Sequence, residues 1–274
     1  MIRMSYWEAV GSVKLDKLEK ILKNLKCVVI AYSGGLDSTF LLKMAVDTLG
    51  KDNVIAVTAR SATYPASEYR EAKRLVRRMK ARLITIRTDE LEMKNFRRNP
   101  VNRCYYCKKE LFTKIDAIRR KFNMNFVCDG TNLDDMKDIR YGRKAAKELG
   151  IRSPLLEAKI AKSDIRKFSK RLKLPTWDKP SFACLASRVP FNSDITAKDL
   201  SRIEMGEDYL RRLGFRQVRL RLHGDIARLE VQKKDLAKAV KLKDAITAKL
   251  KKLGFTYVTL DLAGYRTGSM HEAV

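Results

Sequence analysis

The residues of this chain that could do chemistry gather in three places. The first is "VVIAYSGGLDSTFLL", which contains Ser33, Gly34, Gly35, Asp37, Ser38 and Thr39. A short apolar strand pattern runs into two glycines and restarts at once as an apolar helix with a carboxylate and two hydroxyls at its mouth. Glycines let backbone N–H groups turn inward without Cβ obstruction, and a helix start adds partial positive charge, so the combination suits a phosphate. The pattern G-x-x-x-x-G-K-[ST] is absent from the chain, and so is G-x-G-x-x-G, so neither the ordinary P-loop nor a dinucleotide fingerprint applies.

The second place is a set of cysteines. "NRCYYCKKELF" supplies Cys104 and Cys107, and "SFACLASR" supplies Cys184. A CxxC inside an intracellular chain points to metal or redox chemistry. Zinc would want a fourth ligand, and the two histidines, His223 and His271, lie far off toward the C-terminus. Three thiolates without an obvious fourth suit a [4Fe-4S] cluster with one iron open to an exogenous ligand; redox or sacrificial thiols, zinc, and inert structure remain as alternatives. Cys27 and Cys128 fall on strand patterns and read as buried core.

The third place is "RQVRLRLHGDIARLEVQ". If Gly224 and Asp225 form a two-residue turn, Val218, Leu220 and Leu222 pair with Val231, Leu229 and Ala227 on one apolar face. Arg219, Arg221, His223, Arg228 and Glu230 then share the other. Arg219 faces Glu230, whereas Arg221 faces Arg228, an arrangement that is destabilising unless an anion sits between them. A substrate phosphate would serve, and a merely solvated basic face is the plainer alternative.

Elements that position these residues follow from periodicity. Helical spacing at Leu15, Leu18, Ile21, Leu22 and Leu25 precedes the buried strand "CVVIAY", and strands "NVIAVTA", "RLITIRT" and "NFVCDGT" alternate with helices over 38–49, 67–79 and 110–122. Short apolar strands between helices predict a doubly wound parallel α/β domain. Helices over 139–149 and 163–172 follow, and the Pro-punctuated "LPTWDKPSFACLASRVPFNSD" then breaks the pattern. Beyond it, a helix over 197–213, the two strands above, a helix over 233–253 and a last strand "FTYVTLDL" make a smaller α+β unit. The expected division is residues 1–190 and 191–274. The 274 residues, 45% hydrophobic, suffice for both cores, and no apolar run approaches the roughly 20 residues of a membrane span. With no secretory leader pattern and an odd number of cysteines, five, a cytoplasmic protein is expected. The net charge of +27, from 59 Lys+Arg against 32 Asp+Glu, fits anionic partners or a heavily charged solvated surface.

"SGGLDS" resembles the PP-loop of the ATP pyrophosphatases, enzymes that split ATP between the α and β phosphates to adenylylate a substrate. The resemblance implies that the loop amides with Ser33, Ser38 and Thr39 hold the departing pyrophosphate and that Asp37 holds Mg2+. With "RCYYCKKELF", "DGTNLDD", "PSFACLASR" and "RLHGDIARLE" added, the chain is similar along nearly its whole length to the LarE family. These ATP-dependent sulfur transferases build the thiocarboxylates of the nickel-pincer nucleotide cofactor. The resemblance implies ATP contacts at Gly130 and Thr131, and a pyridinium mononucleotide substrate with its phosphate held by Arg219 and Arg221, and further by Arg228 and Arg266. Glu207 is another position where contacts would be sought. The sulfur arrives as hydrosulfide or from another donor, and a homo-oligomer is expected. Some members surrender the sulfur of the cysteine aligned with Cys184, which becomes dehydroalanine; members with an additional CxxC use the three thiolates to hold a [4Fe-4S] cluster, and Cys104 and Cys107 place this chain with them. A tRNA thiolation enzyme of the PP-loop class is the leading rival, with amide-forming synthetases behind it; no appended RNA-binding module is evident.

Overall fold

The computed structural model describes residues 6–136, 141–180, 183–266 and 269, with side chains from residue 13 onward. His271 lies outside them. Along the chain run α1 (Tyr6–Leu25), β1 (Val28–Ala31), α2 (Leu36–Leu49), β2 (Val54–Arg60), α3 (Ala66–Arg78), β3 (Arg82–Arg87), α4 (Lys94–Arg97), α5 (Arg103–Lys121), β4 (Phe126–Cys128), α6 (Tyr141–Glu148), α7 (Pro154–Glu157) and α8 (Lys162–Arg171). Then follow α9 (Ala197–Arg212), β5 (Val218–His223), β6 (Ile226–Val231), α10 (Leu236–Lys241), α11 (Lys243–Lys252) and β7 (Tyr257–Leu260).

The chain divides into two compact units. One comprises Met1–Arg60, Ala66–Thr88 and Cys104–Ser181, the other Ser61–Pro65, Asp89–Arg103 and Phe182–Val274. In the larger unit the sheet has the order β3-β2-β1-β4 and every pair is parallel. Strands of three to seven residues with almost unbroken burial in β1 and β2 are what two covered faces require. On one face α1, α2, α3 and α8 bury Leu22, Phe40, Ala72 and Phe168 against Val28 and Ile30. On the other, Phe112 and Ile115 of α5 and Ala146 of α6 cover Val29, Ile55 and Val57. The strand order reverses between β1 and β4, and in such sheets ligands bind beyond the carboxyl ends of the strands at that switch point.

In the smaller unit the order is β5-β6-β7, with β5 and β6 antiparallel and β7 parallel to β6. The register is the one that the two-residue turn dictates: Val218 opposite Val231, Leu220 opposite Leu229, Leu222 opposite Ala227, Arg219 opposite Glu230 and Arg221 opposite Arg228.

Two elements differ from the periodic reading. Helix α5 begins at Arg103, seven residues before the expected 110, because Cys107, Leu111, Phe112 and Ile115 continue one helical stripe backward through the CxxC. The single helix expected over 233–253 is a 3-10 turn at Lys233–Asp235 followed by α10 and α11, broken at Leu242, and each piece buries its own apolar residues, Ala239 in one and Ile246 and Leu250 in the other.

Candidate active site

Strand β1 leads into the glycine loop, and α2 starts directly from it with Gly35 as its N-cap and no capping side chain. The first turn of α2 thus carries no side-chain cap, an arrangement that suits a phosphate. Side chains fix the loop's shape. The Ser38 hydroxyl accepts from the Ser33 amide at 3.2 Å and lies 3.0 Å from the Ser33 hydroxyl, which in turn accepts from the Gly35 amide at 3.4 Å. Gly34 has φ +66°, and a Cβ there would sit 2.7 Å from the Ala72 Cβ, so both conformation and space demand glycine. Thr39 is fully buried with its hydroxyl 3.3 Å from that of Tyr32, so it braces the loop from within. Burial raises the Tyr32 phenol to about 12, which keeps it a neutral partner at physiological pH.

The turn after β4 closes on this loop. A Cβ on Gly130 would lie 3.0 Å from the Ser38 amide nitrogen, so glycine is what lets the β4 turn approach the first turn of α2. The Asp129 carboxylate accepts from the Thr131 amide at 3.1 Å, the Thr131 hydroxyl at 2.7 Å and the Ser153 hydroxyl at 2.7 Å. A third support comes from Lys179, whose ammonium donates to the Gly34 carbonyl at 3.2 Å while pairing with Glu68 at 2.7 Å and Glu71 at 2.9 Å on α3. Burial alone would lower the Lys179 pKa, and the two carboxylates outweigh it and raise it, so the cation is held charged against the loop. Asp129 stands in the quoted "DGTNLDD" without a role read from it, and Lys179 belongs to no motif, because both act through contacts set by the fold.

Cys104 and Cys107 sit in the first two turns of α5, three residues apart and so on neighbouring positions of one helix face; Cys104 is exposed and Cys107 half-buried. Cys184 is half-buried at the start of the 3-10 turn Leu185–Arg188 in the smaller unit. None of the three is in a disulfide, and their partial exposure and thiol chemistry fit soft-metal or sulfur ligation. Among the described residues no group of three or more His, Cys, Asp or Glu could hold a metal ion. Cys128 is fully buried as expected, and burial pushes its thiol far above the usual range; Cys27 is half-buried and precedes β1. Asp37, half-buried in the first turn of α2, supplies the hard oxygen donor that Mg2+ prefers.

In the smaller unit the Cys184 turn is tied to the arginine face by buried ion pairs. Arg188, fully buried, makes a bidentate pair with Glu207 at 2.8 and 3.0 Å, and its Nη1 donates to the Ala183 carbonyl at 2.6 Å and the Cys184 carbonyl at 2.9 Å. Glu207 also accepts from Arg211 and from the Leu220 amide, both within 3.1 Å. Burial alone would raise Glu207, but Arg188, Arg219 and Arg211 hold its carboxyl below its ordinary range.

Arg221 donates to the Ser187 carbonyl at 2.7 Å, to Glu230 at 2.9 Å and to Ser269 at 2.9 Å. Arg228 pairs with Glu230 at 3.2 Å and with Asp261 at 3.2 Å, and Asp261 also reaches Arg266 at 3.5 Å. The anion between the facing arginines Arg221 and Arg228 is therefore Glu230, so their juxtaposition does not by itself require a bound phosphate. Arg219 lies over the Tyr265 ring at 5.4 Å, and burial together with Arg188 lowers its pKa.

An all-parallel sheet with a glycine loop opening a helix at its switch point, shaped by S-G-G-x-D-S, defines a PP-loop ATP pyrophosphatase domain. The model of the NAD synthase family matches residues 12–109, which carry that loop. A pyridinium-3,5-bisthiocarboxylic acid mononucleotide synthase from Lactiplantibacillus plantarum is 37% identical over 266 residues, 97% of this chain and 96% of that protein. An uncharacterized protein of Synechocystis sp. is 40% identical over 264 residues, covering 95% and 98% of the two chains. Another from Methanocaldococcus jannaschii is 33% identical over 261 residues, covering 93% and 99%. The chain belongs to the LarE family of ATP-dependent sulfur transferases.

Proposed function

We propose that the protein adenylylates a carboxylate of a pyridinium mononucleotide and replaces AMP with sulfur to give a thiocarboxylate. The observation that carries this reading is the pinned S-G-G-x-D-S loop in a chain similar over nearly its full length to a protein named for making a bisthiocarboxylic acid mononucleotide. A carboxylate oxygen attacks the α phosphorus and pyrophosphate leaves; hydrosulfide then adds to the acyl carbon, AMP departs with the carboxyl oxygen, and one proton is released. The loop amides and Ser38 hold the departing pyrophosphate, and Asp37 orients Mg2+, whose charge offsets the developing negative charge. Arg219, Arg221, Arg228 and Arg266 present the cationic face for the substrate phosphate. Asp37→Asn should abolish AMP and pyrophosphate formation with folding intact, read by nucleotide chromatography; ADP as the main product of the wild-type chain would sink the assignment.

Cys104, Cys107 and Cys184 are proposed as the ligands of a [4Fe-4S] cluster, which when bound supplies an iron site for hydrosulfide. Each single Cys→Ala change should lose iron, acid-labile sulfide and the cluster's visible absorbance after anaerobic purification, while Cys27→Ala and Cys128→Ala should retain them. The second reading starts from the free, half-buried thiol of Cys184 at the head of the 3-10 turn Leu185–Arg188. In it, the Cys184 thiolate attacks the acyl carbon of the adenylate and AMP leaves; a base then removes the Cα proton, the Cβ–S bond breaks so that the sulfur departs with the acyl group as the thiocarboxylate, and dehydroalanine remains. Intact-protein mass spectrometry separates the two, because only the second leaves the chain lighter by one hydrogen sulfide.

A further inference from the structure

Arg103 opens α5 and belongs to the smaller unit. Its guanidinium carbon stands 4.7 Å from the centroid of the Phe191 ring, and the residue is 6% exposed. Its Nε and Nη1 are buried without a hydrogen-bond partner among the described residues, and no described carboxylate pairs with it. Three other buried arginines of that unit are answered by carboxylates: Arg188 by Glu207, Arg221 by Glu230, and Arg202 by Asp199 together with two carbonyls. A buried cation without a counter-ion is costly, and an aromatic face returns only part of that cost. Water can take up the free N–H groups but cannot supply the missing charge, whereas an anion supplies both.

We infer that Arg103 receives a ring carboxylate of the pyridinium substrate, the one not being activated. This rests on the proposed function. That reading gives the ATP phosphates to the glycine loop and the substrate phosphate to the Arg219 face, and leaves the ring carboxylates without a cation. A guanidinium backed by an aromatic ring is a planar, charged donor for a carboxylate, and each of its bidentate edges, Nε with Nη2 or Nη1 with Nη2, includes one of the two orphaned nitrogens. A product with two thiocarboxylates also requires that one group wait while the other reacts.

The position is rigid and linked to the sulfur-bearing turn. Phe191 lies three residues past Arg188, the Asn99 side-chain amide donates to the Val189 carbonyl at 3.1 Å and the Pro190 carbonyl at 2.6 Å, and the Asn192 amide donates to the Asn99 carbonyl at 2.9 Å. Arg103 is thus a binding residue for the idle carboxylate.

The test uses the full chain, isothermal titration, and two probes: a pyridinium mononucleotide with carboxylates at ring positions 3 and 5, and the same molecule with one carboxylate replaced by a carboxamide. The wild-type chain should bind the dicarboxylate at least tenfold more tightly. In Arg103→Met that preference should vanish, with carboxamide and ATP affinities unchanged; Arg103→Lys, which keeps the cation without the fork, should retain part of the preference and provides the readout if the methionine variant does not fold. An unchanged preference in both variants, or an equal weakening of both probes, overturns the inference and leaves the proposed function standing. Failure of the wild-type chain to bind either probe overturns both.

Discussion

At the scale of the residue, the ATP loop depends on groups that never need to touch ATP. Lys179 is 12% exposed at its side chain, and it joins the Gly34 carbonyl to Glu68 and Glu71. Gly34 holds φ +66° against Ala72, and the Lys179 ammonium fixes its carbonyl at 3.2 Å. Lys179→Met removes that hold and leaves Glu68 and Glu71 without the cation they share. The expected result is a loss of about 1–3 kcal/mol in thermal stability, as for a partly buried charged hydrogen bond, together with a fall in ATP affinity of roughly tenfold. Differential scanning calorimetry and ATP titration check both; unchanged ATP affinity would separate Lys179 from the loop's function. None of this is visible in "TWDKPSF", where Lys179 reads as one more surface cation. The loop itself is legible because its six residues form one contiguous and specific pattern, even though Ala72 and Lys179 help to hold its shape.

At the scale of the element, the β5–β6 hairpin carries both the arginine face and part of the unit's stability. Arg221 is tied to Ser187, Glu230 and Ser269, and Glu230 is fully buried. Arg221→Ala should therefore cost on the order of 3 kcal/mol of stability, because it uncouples a buried pair, and any loss of substrate affinity will be mixed with that effect. Arg266, 33% exposed at its side chain, pairs with Asp261 at 3.5 Å and donates to the Gly264 carbonyl at 3.2 Å, so Arg266→Ala should cost less stability than Arg221→Ala while weakening the phosphate-bearing substrate by roughly 1.5–3 kcal/mol. Titration against thermal unfolding distinguishes the pair. His223, at the end of β5, adds a pH term. Burial first, then Arg228 and Arg221, push its pKa below 6.5. The unfolded chain therefore binds the proton more readily, so His223 contributes stability that is complete above about pH 6.5 and is lost as the pH falls toward the lowered folded value. His223→Gln should flatten that part of a stability-versus-pH curve, and an unaltered slope would argue against it. The hairpin's register was readable from sequence, since alternation and a two-residue turn leave one solution. Its charge balance was not, because Glu230 reaches diagonally to Arg221 while directly facing Arg219, and Asp261 arrives from beyond β7.

At the scale of the whole molecule, the chain passes between two compact units more often than its composition discloses. The smaller unit takes Ser61–Pro65 and Asp89–Arg103 from within the first half of the sequence. These segments are not passive: the Leu185 amide donates to the Thr63 carbonyl at 2.9 Å, and the Ile195 amide donates to the Arg97 carbonyl at 2.8 Å. Such pairings escape periodicity because neither partner segment has an apolar repeat of its own. They also bear on how the chain can be cut. A fragment starting at residue 191 lacks Arg188, the bidentate partner of a Glu207 that is fully buried, as well as Asn99 and Arg97. Breaking one buried ion pair costs about 3–5 kcal/mol. At about 0.05–0.15 kcal/mol per residue, that is comparable with the whole stability of so short a unit. The fragment 191–274 should therefore give the far-ultraviolet circular dichroism of an unfolded chain and no cooperative thermal transition, while the intact protein melts cooperatively. Adding residues 183–190 restores Arg188 and the Cys184 turn, and should recover partial helical signal without full stability, since Thr63, Arg97 and Asn99 are still missing. A sharp melting transition in fragment 191–274 would show that the Arg188–Glu207 pair and the inserted segments are dispensable to the fold, and would leave their place in it to be explained by the chemistry of Cys184 alone.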